Sequence, residues 1–399
     1  PTLKALKLPR SASYRLPDSM IPLYYQVTLQ PRMYNTDPDK FVFKGSVKIH
    51  MRCHSPTNNI TLHASGLILK RTSVKFFPEE RSFLGDPKYT HFVKDKERQF
   101  VTFWLDKTTE HYWLQMDFKG PLRTEPVGLY YSEYMDNNVT KYMVNTQLQP
   151  IYARKVFPCF DEPATKAQFQ INILRPANRI SLSNMPIDNS DEHIENNGIV
   201  FQKDVYARTP TMSTYLLAFA VCDFHSQTRI FNDSITLKTW AQPRFANDTL
   251  TALHFAEDLL GDFKDFFAVK ISFIKARKHH LLYNSAVNTK STYDRMASTI
   301  SRQFAHQWFA ARVAPTWWTD DWVNEAVASF LARIRITKLV SPCKTDEIFV
   351  AETLHPVMEL DSTDDTRPLS MQVQTPAEIT NLFDDIYFKK GVSIVRMAN

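Results

Sequence analysis

The sequence predicts an α+β protein in two units, a β-rich one over residues 1–223 and a mainly helical one over 224–399. Three observations lead there. Alternating, β-branched runs are concentrated in the first half. From Thr249 onward, apolar residues recur at helical spacing. Aromatic residues make up 13% of the chain, which suits large cores and a strand-rich unit.

In the first unit, YYQVTLQP (24–31), FVFKGSVKIHMRC (41–53), NITLHA (59–64) and QFVTFWLD (99–106) predict strands. AQFQINIL (167–174) and TYLLAFAVCDF (214–224) predict two more. Segments rich in Pro, Asn and Asp, such as MYNTDPDK (33–40) and MPIDNSDEHIENNG (185–198), predict loops. In the second unit, helices are predicted over 249–267, 291–313, 320–340 and 344–360. Residues 375–397 predict two short helices with Gly391 near the join.

Composition narrows the function. The net charge is +6 with no dense Lys/Arg block, so nucleic acid is not expected as a partner. With 8 glycines in the chain, Gly-rich phosphate loops are disfavoured. Cys53, Cys159, Cys222 and Cys343 lack metal-ligand or framework spacing and read as buried small hydrophobes. N-x-[ST] sequons at Asn59, Asn138, Asn232 and Asn247 are glycosylation candidates. They point to an extracellular or lumenal chain of the secretory pathway. No run of 18 apolar residues occurs, so membrane association is expected only through a segment outside this chain, which begins at Pro1.

The chemistry lies in TISRQFAHQWFAARVAPTWWTDDWVNEAVASF (299–330). Three further blocks accompany it in order: NTQLQPIYARKVFPCFDEPATKAQF (145–169), TPTMSTYLLAFAVCDF (209–224) and LFDDIYFKKGVSIVRM (382–397). Together they resemble the aminopeptidase N family of zinc metallopeptidases, with aminopeptidase N and laeverin-like aminopeptidase Q as the nearest patterns. The resemblance implies a saddle-like β domain followed by a thermolysin-like catalytic-type domain. The latter is expected to be incomplete, without the amine-binding strand and the later C-terminal domains. It implies zinc as cofactor and removal of N-terminal residues from peptides as the family activity.

A catalytic zinc needs three protein ligands and an open position for water. H-E-x-x-H supplies two histidines one turn apart on a helix face, with the Glu as general base. In this resemblance a Glu on the next helix is the third ligand. The frame aligns here as R-Q-F-A-H, so His306 and Glu325 are remnant ligands and Arg302 replaces the first. A guanidinium stays protonated and cannot ligate. Gln303 stands at the general-base position and cannot take a proton. Phe388 stands where an oxyanion-stabilising Tyr is expected, and neighbouring Tyr387 should point about 100° away on a helix. Gln147 matches a residue lining the pocket for the substrate's first side chain. FFAVKISFIKARKHHLL (266–282) replaces the expected G-A-M-E-N strand, and KARKHH within it is expected to be an irregular surface segment. Ala310 and Ala326 stand where the pattern has glycines. Arg302 is expected to neutralise Glu325 in place of the metal.

Three functions stay open from the sequence. The first is a catalytically inactive relative with a peptide- or protein-binding role. The second is a residual zinc aminopeptidase acting on neutral N-terminal residues. The third is a non-functional fragment or splice product.

Overall fold

The computed structural model describes residues 13–33, 37–55, 57–78, 88–106, 111–194, 200–231, 235–266, 281–339, 342–364 and 366–399. The largest sheet has eight strands. Its main path runs Ile187–Ile194, Val200–Tyr206, Gln168–Pro176, Met20–Arg32, Val42–Cys53, His111–Pro121 and Ile68–Leu69, and Lys75–Pro78 also pairs with His111–Pro121. Within it, Met20–Arg32 and Gln168–Pro176 run parallel, and the other neighbours are antiparallel.

Alternation decides which way each strand faces. Val27 and Leu29, Val47 and Ile49, Leu114 and Met116, and Ile171 and Ile173 point inward and are at most 1% exposed. The intervening residues Gln26, Lys48, Gln115 and Gln170 are only partly covered. The inner face joins a three-stranded sheet (Asn59–His63, Phe100–Leu105, Tyr89–Asp95) and a four-stranded sheet (Ile180–Ser183, Phe219–Cys222, Val139–Gln147, Gly128–Asp136) in one core. Each fully buried Val, Leu or Ile there contributes about 1.5–3 kcal/mol. Cys159 and Cys222 are buried as expected, whereas Cys53 is half-buried with its thiol on the Ser55 carbonyl.

Two strand expectations fail. Residues 187–194, expected as loop, form an edge strand, because pairing with Val200–Tyr206 overrides a composition of turn-forming residues. Residues 214–216 form a 3₁₀ turn, and strand structure starts only at Phe219.

The hairpin His225–Phe231/Ile235–Ala241 leads into the helices, with Phe231, Ile235 and Leu237 packed against the helical core. The helices are α1 (Leu250–Phe266), α2 (Lys290–Ala305), α3 (Asp321–Leu339), α4 (Pro342–Phe349), α5 (His355–Asp361), α6 (Pro376–Asn381) and α7 (Gly391–Ala398). The helix expected over 291–313 stops at Ala305, and that over 344–360 is broken by a π-turn at Val350–Leu354. Phe263 stacks on Trp308 at 5.6 Å where α1 meets the end of α2. Gly391 starts α7 where a Cβ would lie 3.2 Å from Ala326, so its missing side chain permits the close approach to α3. The expected irregular segment KARKHH (275–280) lies outside the described residues.

The two halves meet through specific contacts. Lys166 donates to the carbonyls of Ala311 (3.1 Å) and Arg312 (2.8 Å). The Arg15 guanidinium sits 4.0 Å over Trp317 and also pairs with Glu162. Ile151 and Tyr215 from the β half share a cluster with Trp318, Val373, Ile379, Leu382 and Tyr387.

Candidate functional site

The site forms where the end of α2, the start of α3 and a π-turn at Ile386–Lys390 converge beneath the β half. His306 caps α2, and its ring nitrogens have two different neighbours. Nδ1 lies 3.1 Å from the Phe309 carbonyl, which can only accept, so Nδ1 carries a proton. Nε2 lies 3.3 Å from Glu325 Oε2. A neutral ring would turn a lone pair toward that carboxylate and a protonated ring a positive charge, and the contact itself falls short of a hydrogen bond. Electrostatics favour the protonated ring. Burial works against charge on both groups, yet Glu325 raises the His306 pKa above its ordinary value. In turn the Glu325 carboxyl is held down at about 2 against its burial, by His306 first, then Arg302 and a hydrogen bond from Gln149.

Arg302 makes no ion pair among the described residues, and the expected direct Arg302–Glu325 bridge is replaced by the His306–Glu325 pair. The Arg302 guanidinium lies 6.0 Å over the Phe388 ring, at the outer limit of a cation–π contact. The physical reason is reach and competition. His306 already holds the carboxylate from a shorter, more rigid side chain, which leaves Arg302 to act on Glu325 through its field.

One turn before Glu325, Asp321 is 2% exposed, and its Oδ2 accepts from the Tyr387 hydroxyl at 2.5 Å. Burial pushes the Asp321 carboxyl up to about 7; the Tyr387 hydroxyl opposes this and Glu325 adds to it. Tyr387 is 1% exposed, and burial raises its hydroxyl well above the usual value, with Asp321 and Glu325 reinforcing the shift. The π-turn departs from the 3.6-residue register assumed in the sequence, and Tyr387 and Phe388 lie edge-on at 4.9 Å. The Tyr215 hydroxyl is buried without a hydrogen-bond partner and feels both carboxylates.

Zinc fits this donor set only in part. A tetrahedral ion with bonds of about 2.0–2.1 Å holds its donors about 3.3 Å apart, the separation seen between His306 and Glu325. Arg302, one turn before His306 on α2, brings a guanidinium, which supplies a cation in place of a lone pair. Among the described residues no group of three or more His, Cys, Asp or Glu side chains is arranged to hold a metal. The residues present therefore do not fit a three-ligand catalytic zinc.

Gln303 sits on α2, one residue from Arg302, and brings no carboxylate to the site. Gln147 is exposed and donates to the Gln149 carbonyl at 3.3 Å. Two residues on, Gln149 is the amide that reaches Glu325. Asp321, Tyr215 and Gln149 were not singled out from the sequence, and Tyr387 was expected to point away from the site. The i, i+4 spacing of Asp321 and Glu325 on an expected helix was the one available signal. Ala310 adopts φ 151°, a conformation that glycine tolerates best. Of the sequons, Asn138 is exposed at a hairpin tip, Asn247 is exposed before α1, and Asn59 is partly covered in a strand. Asn232 lies outside the described residues.

Comparison with known proteins accounts for this arrangement. Residues 21–216 match the Peptidase M1 N-terminal domain, and residues 269–399 match the Peptidase family M1 domain. The chain is 30% identical to aminopeptidase N of Bos taurus over 97% of its own length and 43% of that protein. It is 31% identical to aminopeptidase A of Gloydius brevicauda over 96% of the chain and 42% of the relative. It is 30% identical to the thyrotropin-releasing hormone-degrading ectoenzyme of Rattus norvegicus over 96% of the chain and 37% of the relative. The chain thus spans less than half the length of these curated relatives. Two domain models in the family's order, and similarity along nearly the whole chain, make it a member of the M1 peptidases, among the aminopeptidase N-like proteins.

Proposed function

We propose that this chain is a catalytically inactive aminopeptidase N-like protein that binds peptide or protein ligands without hydrolysing them, on the extracellular or lumenal side of the secretory pathway. The observation that carries the reading is Arg302 at the position of the first zinc ligand, beside a His306–Glu325 pair that neutralises itself. Each missing part removes a separate contribution to hydrolysis. Without a general base, about 10²–10⁴-fold is lost. Without an oxyanion donor, about 10²–10³-fold more is lost. Phe388 has no hydroxyl to supply that donor. The Tyr387 hydroxyl is committed to Asp321. The M1 relatives use zinc to activate water. Here the remaining residues can bind and orient a ligand, and among the described residues the two buried carboxylates are already engaged, Glu325 beside His306 and Asp321 by the Tyr387 hydroxyl.

A residual zinc aminopeptidase is the second reading, favoured by one observation. The 3.3 Å between His306 Nε2 and Glu325 Oε2 also suits two donors of one ion. Elemental mass spectrometry on the chain purified with zinc present separates the two. Absence of zinc, with no release of neutral N-terminal residues from aminoacyl anilides, supports the inactive reading. About one zinc per chain together with turnover overturns it. A cooperative unfolding transition supports a folded binding protein over a non-functional fragment.

A further inference from the structure

We infer that the solvent face of the eight-stranded sheet is a binding surface for a sulfated polysaccharide. The inference does not depend on the reading of the remnant zinc site. Five adjacent strands carry it: Lys75–Pro78, His111–Pro121, Val42–Cys53, Met20–Arg32 and Gln168–Pro176. They contain one acidic residue, Asp117. Among their cations, Lys44, Lys48, Arg52, Lys75 and Lys119 have no carboxylate partner among the described residues. All five occupy solvent-side positions of the pleat, and Lys48 alone is partly covered.

The pairing register makes the pattern specific. Lys44 stands directly opposite Lys119. Like charges facing each other across a ladder are destabilising; Asp117, opposite Ser46, is the one carboxylate beside them on these strands, and a bound polyanion would offset the remaining positive charge. Two same-face pairs further along, beyond Ser46 and Asp117, Lys75, Gln115, Lys48, Gln26 and Gln170 form a continuous row across all five strands. At about 4.8 Å between strands the row extends roughly 19 Å. It alternates fixed positive charge with amides that both donate and accept. That is the chemistry of a chain bearing sulfates and hydroxyls.

The same face fits other polyanions less well. Stacking of nucleic-acid bases needs open aromatic faces. Trp113 is covered, with His50 stacked on it at 4.5 Å and the Lys48 ammonium 4.5 Å from its centroid. Tyr24 lies beneath Arg208 at 4.4 Å. Membrane docking needs apolar side chains that insert. Here the exposed ones, Ile68, Phe77, Ile187 and Val200, sit toward the two borders of the sheet and off its central strands.

The test is retention of the 399-residue chain on immobilised heparin near 0.15 M salt, where the screening length is about 8 Å. Competition is measured with desulfated heparin, phosphatidylserine vesicles and a single-stranded oligonucleotide. The expected result is binding that desulfated heparin fails to compete. It should weaken about tenfold or more in Lys44→Glu/Lys119→Glu and less than about twofold in Lys238→Glu/Lys338→Glu. The second pair makes the same charge change on other surfaces, and the thermal transition of each variant is checked. Should Lys44→Glu/Lys119→Glu fail to fold, Lys48→Gln/Lys75→Gln replaces it. Three results overturn the inference: no retention on heparin, equal loss in both charge-reversal pairs, or vesicles or oligonucleotide displacing heparin at equal charge.

Discussion

Replacing His306 with alanine tests whether the helix junction stands without a metal. In the structure, His306 and Glu325 are 16% and 7% exposed at the side chain and 3.3 Å apart. Their nearest cation, Arg302, makes no direct bridge to the carboxylate. His306→Ala would leave Glu325 buried with only that field and the Gln149 amide. Breaking a buried pair by removing one partner costs about 3–5 kcal/mol. For a unit the size of the helical half, each kcal/mol moves the midpoint by about 2–4 °C, so a fall of roughly 6–20 °C is expected. Glu325→Gln leaves a neutral imidazole free to accept, and should cost about 1–2 kcal/mol. The double variant should then cost less than the sum of the two, by more than about 1 kcal/mol. Denaturant melts with and without a strong chelator provide the assay. The reasoning is refuted if His306→Ala costs under about 1 kcal/mol. It is also refuted if the two changes add, or if the chelator lowers the wild-type midpoint as much as the substitution does.

Restoring the missing ligand and base with Arg302→His/Gln303→Glu should raise zinc content to about one per chain by elemental mass spectrometry, because two donors already stand at tetrahedral spacing. Ala310→Gly should change stability by less than about 1 kcal/mol in denaturant melts, since relief of φ 151° is set against loss of a buried methyl packed with Trp318 and Tyr387. His63 is buried, and desolvation, then the Arg154 guanidinium, hold its pKa well below the ordinary histidine value. A base with a depressed folded pKa contributes stability above its unfolded pKa and loses it as pH falls. Thermal or denaturant melts should therefore show about 1.4 kcal/mol less stability at pH 5.5 than at pH 7.5 from this group, and His63→Gln should remove that component. Asn138 lies exposed on the turn between Gly128–Asp136 and Val139–Gln147, so expression through a eukaryotic secretory pathway should attach a glycan there, and Asn138→Gln should lower the mass by one glycan.

Much of the scaffold was legible because its signals are local. Period-2 alternation over 24–31 and 41–53 needs no partner to be read, and those strands form. Helical spacing over 249–267 and 320–340 likewise became α1 and α3. The failures occurred where a neighbour decided. Residues 187–194 have turn-forming composition and are strand because Val200–Tyr206 offers a ladder. The 375–397 segment reads as two short helices with Gly391 near the join, yet a π-turn at Ile386–Lys390 departs from the regular helical register around Tyr387.

The same division holds for function. Membership of the family was determined by the sequence alone, and so was the expectation that Arg302, Gln303 and Phe388 stand where the family pattern has a ligand, a base and a hydroxyl, because each is a property of one residue type at one position in a motif. Tertiary structure decided which charges meet. It placed His306 rather than Arg302 on Glu325, since a short ring on the same turn reaches a carboxylate that a long side chain passes by. It brought Asp321 to Tyr387 across 66 residues. It also gathered Lys44, Lys75 and Lys119, which form no block along the chain, onto one face, because strand pairing makes neighbours of residues far apart in sequence.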